Sequence, residues 1–120
     1  MSNVYDVANQ LKQAIAESED FTTLKTLHEQ INQDEIAKKM LDNFRQLQLD
    51  LQSKQMSGEQ ITEEEVQKAQ QQFELVQQHE LISKLMEAEQ RLSVVIGDVN
   101  KIITEPLEEI YGNPDEQQNN

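Results

Sequence analysis

From Thr62 to Ile96 the chain contains neither glycine nor proline, and apolar residues recur at helical spacing through the whole stretch. Thr62 opens it as the first member of a Thr62-x-x-Glu65 capping box, with Glu63 and Glu64 in the first turn, where the helix dipole favours acids. The pattern passes Gly97 and fades near Thr104. It therefore predicts one helix of about 42 residues, about 63 Å long. A rod of that length cannot lie inside a compact body of 120 residues, whose radius of gyration would be about 14 Å.

The segment before it predicts a partner for only part of that rod. Asp34 is placed to cap a helix from about Glu35 to Met56, and Gly58 suits its C-terminus. If the chain reverses in a turn near 57–61, facing residues have numbers that sum to about 117. Leu51 then meets Val66, Leu47 meets Ala69, Phe44 meets Phe73, Met40 meets Val76 and Ile36 meets Leu81. Two independently read apolar stripes thus agree on one register. Upstream, Asn3 is expected to cap a first short helix with Val4, Val7, Ala8, Leu11 and Ile15 on one face. Asp20 is expected to cap a second, carrying Phe21, Leu24, Leu27 and Ile31. Downstream, Pro106 reads as the start of a separate short segment closed by Gly112, with 113–120 a disordered C-terminal tail.

The expected fold is therefore all-α. Residues 1–112 form a single helical domain, a long antiparallel helical hairpin with two short N-terminal helices. Beyond Ser83 the rod outruns the hairpin, and Leu85, Ala88, Leu92, Val95, Ile96, Val99, Ile102 and Ile103 surround most of it. A helix apolar on most sides has to be enclosed. The two N-terminal helices can cover one side, and a second copy is the economical cover for the rest, giving an intertwined helical-bundle homodimer.

The chemistry the chain can host is narrow. It has no cysteine, which excludes disulfides, thiol nucleophiles and cysteine-held clusters. Ten Lys and Arg against 23 Asp and Glu give a net charge of -13, with no basic stripe to displace phosphate counterions. Direct nucleic-acid binding is not expected. No apolar run is long enough for a membrane span, and Met1 to Gln10 does not read as a signal peptide, so a cytoplasmic location is expected. His28 and His79 lack the Glu-x-x-His or His-x-x-x-His spacing of helical metal sites. Six acids stand four residues before a base, Asp34–Lys38, Glu35–Lys39, Asp50–Lys54, Glu64–Lys68, Glu80–Lys84 and Glu87–Arg91, which reads as local helix pairing. No catalytic residue, cofactor or metal is expected, and the chain does not read as an enzyme.

Phe44-Arg45-Gln46-Leu47-Gln48, the turn Lys54 to Thr62, the run Leu85 to Leu92, and Asn100 to Ile103 with Pro106 to Gly112 resemble the YheA-like branch of the YlbF/YmcA family of small helical bacterial proteins. The resemblance spans about Tyr5 to Gly112. It implies a helical fold, self-association and a cytoplasmic location. It also implies a link to the complex in which YlbF and YmcA regulate RNA processing, competence, biofilm formation and sporulation. That complex carries iron-sulfur clusters on cysteines, and this chain has no residue to take over that role. Three functions are compatible: a non-enzymatic acidic adaptor that self-associates and docks on an unknown protein partner, a regulatory subunit of an RNA-processing or developmental-control assembly, and a chaperone-like helical clamp.

Overall fold

The computed structural model describes residues 3–112, so the tail expected at 113–120 lies outside the described residues. The fold is all-α, five helices in chain order: α1 (Val4–Glu17), α2 (Glu19–Gln33), α3 (Glu35–Ser57), α4 (Glu63–Gln78) and α5 (Glu80–Tyr111). Four of the five starts are fixed by a side chain that satisfies free backbone N–H groups. Asn3 Oδ1 accepts from Asp6 N at 2.8 Å, and Thr62 Oγ1 accepts from Glu65 N at 3.2 Å. Asp34 Oδ1 accepts from both Ile36 N and Ala37 N, at 3.1 and 3.0 Å. The second helix is capped by Ser18 rather than Asp20: Ser18 Oγ accepts from Phe21 N at 3.3 Å. Ser18 Oγ also donates to Ile15 O at 2.6 Å, closing the helix it leaves as well as starting the next. Gly58 ends α3 with φ +78°, a conformation that costs glycine nothing.

The expected 42-residue rod is two helices. At His79 the backbone turns extended (φ -81°, ψ 119°), ending α4 and starting α5. Asp34 interrupts α2 and α3 in the same manner (φ -105°, ψ 104°). The two breaks lie side by side, with His79 Nε2 3.9 Å from Asp34 Oδ2. Three residues to either side of each break sit Ile31, Ala37, Val76 and Ile82, none more than 1% exposed. Residues six apart on an unbroken helix point about 120° away from each other. Bending the chain between them turns both members of each pair into one core, and that burial offsets the interrupted hydrogen-bond ladder. Leu27, Leu41, Phe44, Leu85 and Ala88 complete the core.

α3 and α4 touch where the rings of Phe44 and Phe73 lie 5.9 Å apart and where Lys54 reaches Glu65. α2 has its largest contact with α5; Asp20 lies 3.5 Å from Arg91 and Asp34 lies opposite His79, so the two helices run in opposite directions. α5 continues through Pro106 to Tyr111 instead of restarting there. The missing proline N–H leaves the Ile102 carbonyl unbonded within the helix. That position is tolerable because Ile102 is exposed and water can serve the carbonyl. The molecule measures 52 × 40 × 21 Å with a radius of gyration of 19.0 Å, well above the roughly 14 Å of a compact chain of this length.

Ile82 and Ile36 separate the core from its surroundings, since Ile82 is fully buried and Ile36 is 71% exposed. Ile82→Ala is expected to lower unfolding stability by about 2–5 kcal/mol in urea titration, while Ile36→Ala changes it by less than about 0.5 kcal/mol.

Candidate interaction surface

The chemistry-bearing side chains do not converge. His28 is half-buried on α2. His79 stands at the α4–α5 break, its Nε2 toward Asp34 and its Nδ1 buried without a hydrogen-bond partner. Asp34 is already committed to capping α3 through its other oxygen. Among the described residues no group of three His, Asp or Glu side chains is placed to hold a metal ion. The groove between α3 and α4, lined by Asn43, Gln46, Leu47, Asp50, Lys68 and Gln72, is shallow and open.

Cations tie helices to one another more than they support single helices. Of the six expected pairs four residues apart, only Glu80–Lys84 closes to ion-pair distance among the described residues, at 3.1 Å. Arg45 instead reaches Glu89 at 2.6 Å, joining α3 to α5, and Arg91 lies 3.5 Å from Asp20, joining α5 to α2. Lys54 Nζ donates to Glu65 Oε2 at 2.7 Å across the α3–α4 turn. That hydrogen bond holds the Glu65 carboxyl below the usual glutamate range and the Lys54 ammonium above the usual lysine range, with the charge of each partner acting the same way. These bases are all on helix faces where a longer side chain can reach across a groove, which sequence spacing does not reveal.

The residues expected to form hairpin core divide into three groups. Phe44 and Val76 are buried; Met40, Leu47, Leu51, Ala69 and Leu81 are half-buried; Val66 and Phe73 are 42% exposed, and Ile36 lies outside the core altogether. Ile36 is in the first turn of α3, and the bend at Asp34 gives Ala37 the inward position instead. The residues expected between two copies divide as well. Leu85 and Ala88 are fully buried inside the single chain, because α2 and α3 close over the first turns of α5. Leu92 and Val99 are half-buried, whereas Val95, Ile96, Ile102 and Ile103 are exposed.

Farther along, Leu107, Ile110 and Tyr111 are exposed too, as are Val4, Tyr5 and Val7 on α1, a helix with no buried residue. The α1 face and, from α5, Ile103 line a trough of roughly 430 Å³, bounded by Asn3, Val4, Val7, Ala8, Leu11 and Ile103 and almost wholly apolar. The α1 face is legible as a helical stripe, but nothing in its spacing shows that it lies opposite Ile103. A smaller exposed set, Leu49, Met56 and Leu75, lies on α3 and α4. No described helix is long and apolar enough to cross a membrane.

Comparison with known proteins agrees over nearly the full chain. Residues 4–108 match the model of a family described as control of competence regulator ComK, YlbF/YmcA. A UPF0342 protein of Halalkalibacterium halodurans is 81% identical over 116 residues, covering 97% of this chain and all of the relative. The UPF0342 protein YheA of Bacillus subtilis is 61% identical over 110 residues, covering 92% of this chain and 94% of the relative. Among solved structures, a protein of unknown function (DUF964) from Bacillus stearothermophilus superposes with a TM-score of 0.82 at 42% identity, over 90% of this chain and 95% of its own. The structure of yheA from Bacillus subtilis gives 0.71 at 49% identity, over 92% of this chain and all of its own.

The Lys54–Glu65 bond carries a pH dependence of defined sign. Glu65 is held low, so its contribution is present above the unfolded glutamate range and is lost as pH falls through the folded value. Lys54 is held high, so the same contribution is lost as pH rises through its folded value, above 10.5. Glu65→Gln is expected to reduce stability at pH 7 and to leave it closer to wild type at pH 3, read by urea titration at both.

Proposed function

Because this chain belongs to the YlbF/YmcA family of competence-control proteins, we propose that it is a non-enzymatic, acidic protein-protein interaction module that self-associates. The observation that carries the reading is the pair of apolar helix faces, on α1 and on the outer half of α5, that a single chain leaves uncovered. Exposed apolar surface on this scale marks an interaction site rather than ordinary surface scatter. The side chains gathered on those faces are apolar rather than acidic, basic or metal-binding, which suits binding rather than catalysis. A charge of -13 favours protein partners over nucleic acid.

In this reading the two ends of the molecule divide the work. The α1–α5 end joins copies in a homodimer, and the α3–α4 hairpin projects as a docking arm with Leu49, Met56 and Leu75 exposed. The description of the family as controlling a competence regulator favours one more specific role, a regulatory subunit of a larger assembly. Crosslinking in cells followed by mass spectrometry tests both. Links between two copies, and links from α3 or α4 to another protein, are expected; self-links alone would remove the docking role. Unchanged competence and transcript ends in a deletion strain would remove the regulatory one.

A further inference from the structure

We infer that the recess between α3, α4 and α5 is a binding site for a free α-amino acid with an apolar side chain. The recess has a volume of roughly 170 Å³, room for a solute the size of several waters at about 30 Å³ each. Phe44 is buried against it and Met86 is half-buried beside it. Phe73 is left 42% exposed although its ring lies 5.9 Å from that of Phe44. A ring of that area gains when an apolar group covers its open side. Arg45 from α3 and Glu89 from α5 line the same recess with their side chains 44% and 41% exposed, so the charges stand outward of the buried ring.

Arg45 Nη2 donates to Glu89 Oε1 at 2.6 Å. Among the described residues this is the one hydrogen bond that either side chain makes. A guanidinium has five N–H donors and a carboxylate two oxygens. The pair therefore ties α3 to α5 while keeping donors on Arg45 and Oε2 on Glu89 for a ligand, and Gln48 adds an amide to the lining.

One cation, one anion and an apolar wall within so small a volume define the ligand. It has to bring a carboxylate and an ammonium close together with a short apolar group, and an α-amino acid carries all three on one carbon. A peptide terminus brings only one of the two charges. A simple anion is repelled by the net charge of -13, and a simple cation meets Arg45. The zwitterion escapes both penalties. Its carboxylate takes the fork of Arg45, its ammonium donates to Glu89, and its side chain covers Phe73 and Met86. The recess shares no lining residue with the trough beside Ile103, and Glu89 stands about 21 Å from Ile103 along α5 at 1.5 Å per residue. The site is therefore independent of self-association. Because Arg45, Phe73 and Glu89 belong to three helices, an occupant fastens the α3–α4 arm to α5.

NMR of the labelled full chain, titrated with L-leucine and with L-methionine, tests the assignment. Saturable shifts at Phe73 and Met86 are expected, with a Kd of about 1 mM or tighter, the range open to a ligand of so few atoms. Glycine, isoamylamine and isocaproate each lack one of the three features and should bind at least about 10-fold more weakly. Arg45→Gln and Glu89→Gln should weaken leucine binding by at least about 10-fold, since each removes one charged contact. Arg91→Gln, which removes the α5–α2 pair instead, should leave it unchanged. Absence of saturable shifts with both amino acids would overturn the site. Equal affinity for isoamylamine or isocaproate would overturn the ligand class, and undiminished binding in both glutamine variants of the Arg45–Glu89 pair would overturn its location. If either variant loses helicity, the analogue series and the position of the shifted resonances, both read on the unaltered chain, decide in its place.

Discussion

The fold depends on two single-residue helix interruptions placed against each other. Asp34 and His79 each turn one residue extended, and the four side chains three positions away on either side are among the most deeply buried in the molecule. Breaking a helix sacrifices ladder hydrogen bonds and exposes end groups. At Asp34 the loss is made good by its carboxylate, which accepts from two backbone N–H groups. At His79 no side chain caps the new helix, so burial of Val76 and Ile82 has to stabilise that bend largely by itself. With an aromatic content of only 4%, the chain builds this crossing from aliphatic side chains, Ile31, Ala37, Val76 and Ile82.

This distribution explains which parts were legible in the sequence. Asn3, Asp34, Gly58 and Thr62 were readable because each acts locally: a cap or a left-handed residue needs only its neighbours three or four positions away. The meeting of Phe44 with Phe73 was readable because two stripes and one turn had to agree. The bend at His79 is only partly legible: the polar run Gln77 to Glu80 interrupts the apolar stripe and reads as a turn where the stripe changes face, but it contains no proline, glycine or capping side chain to end a helix, and the force that bends it is tertiary. Missing that bend had consequences. It leaves Leu85 and Ala88 as surface for a second copy when they are buried in the chain's own core, while the bend at Asp34 turns Ala37 inward in place of Ile36. The exposed apolar surface is correspondingly half legible: Val95 to Ile103 and the α1 stripe can be found from the apolar pattern, whereas the trough that the α1 face shares with Ile103 cannot.

Charge follows the same division between local and tertiary control. Acid-base spacing along each helix suggested internal pairing, but Arg45, Lys54 and Arg91 all reach a different helix. An exposed partner on a base's own turn is worth only a few tenths of a kcal/mol, too little to hold a flexible side chain when a carboxylate on a neighbouring helix is within reach. Each of these three bases links a different pair of helices, α3 with α5, α3 with α4, and α5 with α2. Three of the ten cations of a strongly acidic chain thus tie one helix to another.

The position of the double break also sets where the chain can change length during evolution. α3 and α4 extend from it and are joined to each other by a turn whose Lys54–Glu65 bond lies far along the chain from the core. Adding two turns to both helices next to that turn would lengthen the projecting part while leaving every core position in register. An insertion of one residue near Asp34 or His79 would rotate a buried side chain outward by about 100°. Length variation among descendants of such a chain is therefore free at the tip and forbidden at the root, so reach can diversify while the crossing of helices stays fixed.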